Sequence, residues 1–530
     1  MKGRSAMRMP DFMTVCFGNE KQQKTFRGEE KISFSGVTVT LKQEGTALNV
    51  LLAADAAPVR FLRLRWNMPM PEDAVYLGDA WERAYGDLQW RRLDASRVMP
   101  WYFLMSCGGR HSGFGVQVRP AAFASWWADS KGVTLLLDVR NGGEGVLLKG
   151  RELCVARIVR AESDGESAFA FANKFCGIMC SDPLLPSFPV YGGNNWYYAY
   201  GHSSAEEILN DCRYLLSLCK GLENPPFMVI DDGWQKNFDQ GNNAGPWSEG
   251  NVRFPDMPDL IRKMKKIGVR PGIWFRPLWN TEAPAEWLHA ADNPRALDPS
   301  HPEVRELVRE DVRRFADWGI ELIKHDFTTW DLFEQYGWQM RPLPQLSWTR
   351  PFYDRTLTSA EIVTELYRTI HEAAGNMLII GCNTFGHLSA GHVHLSRVGD
   401  DTSGVNWERT RKNGINSLAF RMCQHGKFFA VDADCIGIKG ALIPWRLNAQ
   451  WGKLLAKSGT PFFASIEPGV LDSTQFAEVS ACMEAASKQN FAAEPLDWMS
   501  TTCPEHWTVN GDACTFDWYA EDGSLGEFFV

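Results

Sequence analysis

The chain has no run of about 18 consecutive apolar residues, so no membrane-spanning helix is expected. Its opening stretch, MKGRSAMRMPDFMTV, carries basic residues without an apolar core, and no secretory leader is expected from it. Positive charge is not in excess. The 55 Lys and Arg stand against 64 Asp and Glu, and a formal net charge of −9 argues against nucleic acid or an anionic membrane surface as the main partner. Paired cysteine motifs are missing as well. The 13 cysteines are odd in number and contain neither a Cys-x-x-Cys pair nor a zinc-finger spacing. Several, such as Cys212, Cys219 and Cys382, sit inside apolar patterns. Reduced, mostly buried thiols in a cytoplasmic protein are the expectation, with no cofactor and no metal. What the chain has in quantity is aromatic side chains: 22 Trp, 31 Phe and 12 Tyr. Flat rings suit the apolar faces of sugars, although core packing accounts for most aromatics in any protein.

A chain of 530 residues predicts one large domain with accessory domains. Up to about residue 160 the pattern is β-like. KISFSGVTVTL, TALNVLL, VRFLRLRW and VTLLLDVR alternate or form short apolar runs, and Asn141-Gly142-Gly143 reads as a turn. We expect an antiparallel β-sandwich over about 1–160 and a linker, helical in part, over about 161–187. From about 188 short apolar strands alternate with helices. Ser203 and Glu206 stand at capping-box spacing before a helix that stops at Gly221. Ser300 and Glu303 open another that ends at Gly319, and a third runs from about Ser359 to Gly375. The strand candidates are FPVYGGN, PFMVIDD, RPGIWF, ELIKHDF, MLIIGCN, HLSRVGDD, FFAVDAD and TPFFASI. Eight strands mostly followed by helices predict an α/β fold, a (β/α)8 barrel over about 188–487. The tail, about 488–530, predicts a small β cap with a hairpin at Asn510-Gly511.

Several strands begin apolar and end polar: Asp231-Asp232, Arg276, Lys324-His325-Asp326, Cys382-Asn383, Arg397 with Asp400-Asp401, and Asp432 with Asp434. In such barrels the C-terminal strand ends share one mouth, where active sites lie, so these groups should converge on one pocket. Two opposed carboxylates are what glycosidic cleavage needs, one to attack the anomeric carbon and one to protonate the leaving oxygen. Asp326 is the nucleophile candidate. Lys324, two residues earlier, points to the same side of its strand, and a nearby ammonium keeps a carboxylate ionised.

At this point the chain resembles a known family. IDDGWQ, GIWFRP, LIKHDF and RVGDDT, in this order on strands two, three, four and six, look like the melibiase-type α-galactosidases of glycosidase clan D. The likeness covers about 190–440, and the β-rich N-terminal part fits the family's leading sandwich. It implies a retaining, exo-acting α-galactosidase with Asp326 as nucleophile and Asp401 as acid/base. The position of Arg397, four residues earlier, favours Asp401 over Asp400. It also implies Asp231 and Asp232 holding sugar hydroxyls beside Lys324, Trp274 as a pocket wall, and Cys382 and Asn383 after strand five. Some of the family bring a Trp from the N-terminal domain into the pocket, and Trp81 or Trp90 would fill that role. Departures are a short C-terminal tail and a long loop from Thr328 to Arg355, whose Trp330, Phe333, Tyr336, Trp338 and Trp348 would cover the mouth or pack against the neighbouring domain.

Alternatives stay open at this level. A related clan D enzyme, such as an α-N-acetylgalactosaminidase or an α-galactosyl transferase, shares these motifs. A metal-dependent hydrolase finds support only in His325-Asp326 and the His392-Val393-His394 pair, with no third His at ligand spacing. A sugar-binding barrel without catalysis is the remaining reading, against which both carboxylates stand. The expected partner is an α-galactoside oligosaccharide or glycoconjugate, not nucleic acid or membrane, and assembly into a homo-oligomer is left open.

Overall fold

The computed structural model describes residues 6–18, 22–238, 243–290, 293–340, 343, 350–488 and 492–521. Trp348 falls outside the described residues. Two antiparallel sheets form the N-terminal sandwich. One holds Gln22–Arg27, Phe12–Phe17, Val59–Asn67, Gly132–Asp138, Phe123–Asp129 and Met99–Pro100, in that order across the sheet. The other holds Lys31–Phe34, Val37–Glu44, Ala47–Ala54, Glu152–Asp164, Arg110–Val116, Tyr102–Cys107, Val75–Gly78 and Arg91–Arg92. Their inward residues alternate as a half-buried strand requires: Val37, Val39 and Leu41 on one sheet, Leu62, Leu64 and Trp66 on the other. Phe103 stacks on Phe114 at 5.0 Å and meets Trp126 from the facing sheet edge-on at 5.8 Å. The last sandwich strand runs on to Asp164. A helix, Ala168–Met179, follows, capped by Ser167 Oγ accepting from Ala170 N at 3.1 Å.

All eight barrel strands form where the apolar runs predict them. They are Tyr191–Asn194, Phe227–Ile230, Arg270–Phe275, Leu322–His325, Leu378–Gly381, Leu395–Arg397, a broken seventh strand, and Phe462–Ile466. The neighbours pair in parallel. The seventh is broken at Ala433-Asp434, where Asp434 takes a left-handed φ of 72°. Its first half, Ala430–Asp432, pairs with strand six, and its second, Cys435–Ile438, with strand eight. That kink closes the ring. Val229, Leu322, Ile380 and Phe463 fill the interior, while the strand residues between them pack against the surrounding helices.

Two helix caps differ from expectation. The helix Ala205–Leu218 is capped by Ser204, whose Oγ accepts from Glu207 N and donates to Glu207 Oε2; Ser203 instead accepts from Asn195 Nδ2 at 3.1 Å. The helix Pro302–Trp318 is capped by His301, with Pro302 in its first turn, because the Ser300 hydroxyl is taken by Asp298 Oδ1 at 2.7 Å. It ends at Gly319 in left-handed conformation, as expected. At the C-terminus Ala493–Pro495, His506–Val509 and Asp512–Thr515 make a three-stranded antiparallel sheet, and its hairpin turns at Asn510-Gly511 with φ of 55° and 85°.

Candidate active site

The polar strand ends meet in a pocket of about 720 Å³ at the C-terminal mouth of the barrel. Asp231 and Asp232 enter it from strand two, Trp274 from strand three, Lys324 and Asp326 from strand four, Asn383 after strand five, and Asp400 and Asp401 after strand six. Lys324 and Asp326 do point the same way, since both line the pocket while His325 between them is buried behind it.

Asp326 is held on both oxygens. Phe327 N donates to Oδ1 at 2.7 Å and Trp274 Nε1 to Oδ2 at 3.1 Å. The first bond depends on Phe327 adopting a left-handed φ of 61° at the start of the short helix Thr328–Phe333. Burial pushes the Asp326 carboxyl up, but the charges of Lys324 and Arg83 and these two donors outweigh it, leaving its pKa below the ordinary value. The group is therefore ionised at neutral pH, the state in which a carboxylate can attack. Lys324 acts on it through space. The lysine's hydrogen bond goes instead to Asp231 Oδ2, at 2.8 Å, where Asn194 Nδ2 also donates at 2.7 Å. Asp232 accepts from Gln235 Nε2 at 2.7 Å, and burial, helped by the charge of Asp231, raises its pKa to about 7.

Asp400 and Asp401 both line the pocket. The strand ends at Arg397, so the two lie in the following loop, where strand alternation no longer applies. Their surroundings differ. Asp400 is clamped between Arg83 Nη1 at 3.2 Å and Arg409 Nη2 at 2.7 Å. The side chain of Asp401 is 37% exposed, with Oδ1 3.3 Å from Arg397 Nη2. Burial pushes the Asp401 carboxyl up, but Arg397, Arg83, Lys324 and Arg409 together bring it below the usual range.

Some expected residues do not reach the pocket. Arg397 and Cys382 lie beneath it, 3.6 Å apart, and Arg397 also pairs with Asp434 at 3.1 Å. Asp432 and Asp434 are buried inside the barrel, bordering a small cavity of about 20 Å³ with Arg397 and Lys324. Arg276 is buried against Asp331 and lies between the Trp279 and Phe327 rings, so it fixes the loop after strand four. Asn383 lines the pocket, but its amide is committed: Nδ2 donates to Glu82 Oε2, and Oδ1 accepts from Thr329 Oγ1 and from Trp330 N at 3.2 Å. Trp81 is core. It packs edge-on against Trp101 at 5.1 Å, and its carbonyl accepts from Trp101 Nε1 at 3.0 Å. Trp90 packs against Trp498 at 5.5 Å. In the long loop Phe333 is core, whereas Tyr336 and Trp338 line the pocket.

The sandwich does reach the pocket, through residues that sequence reasoning missed. Ala84 bridges Gly399 in parallel, with Ala84 N donating to Val398 O at 2.7 Å and Asp400 N to Ala84 O at 3.2 Å. This places Arg83 and Tyr85 on the pocket wall. Glu82, buried between them and the barrel, accepts from Tyr85 OH, Gly337 N at 2.8 Å and Asn383 Nδ2. The segment around Trp81 does reach the pocket, but through Arg83 and Tyr85 rather than through the indole of Trp81. Trp196, Asn243, Arg409 and Asn413 complete the wall. Asn413 sits in a π-helical turn, Arg411–Asn416, and donates to Asp401 O at 3.3 Å.

His325 is buried between Phe275 and Tyr367, and burial lowers its pKa to about 4, so it is neutral. His392 and His394 lie near His371, with ring centroids 6.0 and 6.5 Å from it. Among the described residues no group of three or more His, Cys, Asp or Glu is arranged to hold a metal ion.

Comparison with solved structures decides the architecture. TtGalA, an α-galactosidase from Thermus thermophilus, superposes with a TM-score of 0.60 at 17% identity, covering 90% of this chain and 98% of that one. AgaA, a GH36 α-galactosidase from Geobacillus stearothermophilus, gives 0.62 at 13% identity over 95% and 80% of the two chains. The fold is that of the GH36 α-galactosidases. In sequence the chain is similar to a probable α-galactosidase B from Talaromyces emersonii, 28% identical over 142 residues. That stretch spans 26% of this chain and 27% of the relative. No family model matches the chain.

Proposed function

We propose that this chain is a retaining, exo-acting α-galactosidase that hydrolyses terminal α-galactosides by double displacement. The observation that carries the proposal is the pair of carboxylates in one pocket: Asp326, kept ionised by Lys324, Arg83 and two N–H donors, and Asp401, the more open of the two aspartates after strand six. In the first step Asp326 attacks the anomeric carbon while Asp401 gives its proton to the departing oxygen. In the second, Asp401 takes a proton from water, the water oxygen attacks the same carbon, and Asp326 leaves. Asp231 and Asp232 accept hydrogen bonds from hydroxyls of the non-reducing sugar, and Trp274 forms the wall behind it. The substrate class follows from the proteins of like fold. The Thermus enzyme is described in complex with p-nitrophenyl α-D-galactopyranoside and with stachyose, and the Geobacillus enzyme with raffinose. All thirteen cysteines are free thiols, nine of them buried, which supports our placing the enzyme in the reducing cytoplasm.

A panel of aryl α- and β-glycosides with the sugar varied tests the reading. Turnover of the α-galactoside is expected, with the α anomer formed first by proton NMR. A first-formed β anomer overturns retention, and preference for another sugar overturns the substrate.

A further inference from the structure

The side chain of Glu82 has no exposed surface and sits at the joint between the sandwich and the barrel, reaching the pocket only through its neighbours. Each of its oxygens accepts from a donor that cannot reverse. Oε1 accepts from Gly337 N at 2.8 Å, and Oε2 accepts from Asn383 Nδ2. The Asn383 amide is pinned, because its own Oδ1 accepts from Trp330 N at 3.2 Å and from Thr329 Oγ1. Tyr85 OH also donates to Oε1. A carboxylate meets these demands and a carboxamide does not, since its NH2 would face one of the two fixed donors. Burial pushes the Glu82 carboxyl up, against the charge of Arg83 and the bonds from Tyr85 and Gly337.

These bonds converge on Arg83. Its guanidinium lies over two phenol rings, 5.8 Å from the centroid of Tyr85 and 5.9 Å from that of Tyr336, with Nη1 3.2 Å from Asp400. Glu82 fixes both rings: Tyr85 by its hydroxyl, and Tyr336 through the backbone N of the next residue, Gly337. The contact there is so close that a Cβ at Gly337 would stand 2.6 Å from Glu82 Cγ. Glu82 Oε2 is itself 3.6 Å from Arg83 Nε. Arg83 in turn is one of the cations that lower both Asp326 and Asp401. Asp401 otherwise faces Arg397, Lys324 and Arg409, with the phenols Tyr197 and Tyr200. Arg83 faces Glu82, Tyr85, Tyr336, Cys382 and Asp400. Burial raises the phenols and the thiol, so only carboxylates answer the arginine's charge.

We propose that Glu82 is a positioning residue for the hydrolysis: it does not meet the sugar, but seats Arg83 at the place from which its charge reaches both catalytic carboxylates. The proposal rests on the α-galactosidase reading of the pocket.

The test is the pH dependence of kcat/KM on an aryl α-galactoside. Arg83→Gln removes the charge and should move the alkaline limb, set by Asp401, up by about one pH unit. Glu82→Gln should free Arg83 from its seat, lower kcat/KM about tenfold and move the limb the same way by about half a unit. The direct loss of a negative charge at Glu82 works in the opposite direction, so the sign separates placement of Arg83 from a simple charge effect. Combining Glu82→Gln with Arg83→Gln should leave kcat/KM within about twofold of Arg83→Gln alone, because residues that act through one another are not additive. Tyr85→Phe, which keeps the carboxylate and loosens one of the two rings, should move the limb upward by less, and it carries the test if Glu82→Gln does not fold. An unmoved limb, a limb moved to lower pH, or losses that multiply in the double variant overturn the positioning role and leave the activity reading standing. A wild type inactive on α-galactosides overturns the activity reading and the role with it.

Discussion

Replacing Asp232 by Asn should make the protein weaker as a catalyst and more stable at alkaline pH. Asp232 is 7% exposed, and its pKa rises from 3.8 to about 7, chiefly through burial and secondarily through repulsion by Asp231. The sign follows from linkage. A carboxyl whose folded pKa exceeds its unfolded value binds more protons in the folded state at pH values between the two. Stability therefore falls as pH rises through that window, from about 4 to about 7. The full gap corresponds to at most ~4 kcal/mol above pH 7, and local relaxation brings the expected cost of the charge to ~1–2 kcal/mol. Asn carries no charge and can keep the 2.7 Å bond from Gln235 through its own Oδ1. Asp232→Asn should thus raise the unfolding midpoint at pH 8, and the gain should shrink towards zero as pH falls to 4. The same substitution removes a charged acceptor for sugar hydroxyls and should cost ~1.5–3 kcal/mol in kcat/KM. Thermal unfolding across pH 4–8 and steady-state kinetics on one aryl α-galactoside check both halves. A stability gain independent of pH would show that the charge is not its source, and near wild-type kcat/KM would make Asp232 structural.

Asp401→Ala should lose far more activity on melibiose than on a dinitrophenyl α-galactoside, whose leaving group departs without a proton, and azide should rescue its turnover; Asp326→Ala should be inactive on both. Asp400→Ala should show no such leaving-group dependence, because its carboxylate is committed to Arg83 and Arg409; the reverse pattern would move the acid by one residue. Asp401 must carry a proton to act as acid, and its pKa is held low in part by Arg409, so activity should decline early as pH rises. Arg409→Gln should move that alkaline limb of kcat/KM to higher pH, and an unmoved limb would exclude Asp401 as the titrating group. A complex with a galactose-like inhibitor should place the Asp326 and Asp401 carboxyls about 5–5.5 Å apart across the anomeric carbon, the retaining geometry.

The barrel was legible because its strands are short apolar runs whose last residues turn polar at one end of the ring, a pattern that sequence order alone displays. Asp231, Asp232, Lys324 and Asp326 could be read for that reason: each lies on, or just beyond, a strand whose direction the alternation of strand and helix sets, whereas Trp274 and the choice of Asp401 over Asp400 came from the resemblance to the melibiase-type motifs. The caps were less legible. Ser203 and Ser204 both precede the same helix, and only the extended backbone of Ser204, with φ of −136° and ψ of 167°, decides which hydroxyl faces Glu207 N. Asp400 and Asp401 could not be separated by alternation, because the strand that would impose it stops at Arg397.

The entry of the sandwich into the pocket was least legible, and the reason is physical. Trp81 and Arg83 are two residues apart in a segment without regular strand geometry, so neither period nor polarity says which of them turns towards the barrel. Ala84 decides it by bridging Gly399, a residue remote in sequence that belongs to the loop carrying Asp400 and Asp401. The large apolar indole of Trp81 then packs against Trp101 and Phe123 in the core, and the charged partner is left facing Asp400. An aromatic residue flanking a functional segment is thus weak evidence for a sugar contact when a buried aromatic cluster competes for it. An Arg in the same segment has no such competitor, since burial without a carboxylate would leave its charge unpaired. By that criterion Arg83 is the residue to seek near the site, and the carboxylates of the barrel mouth are where its charge finds partners.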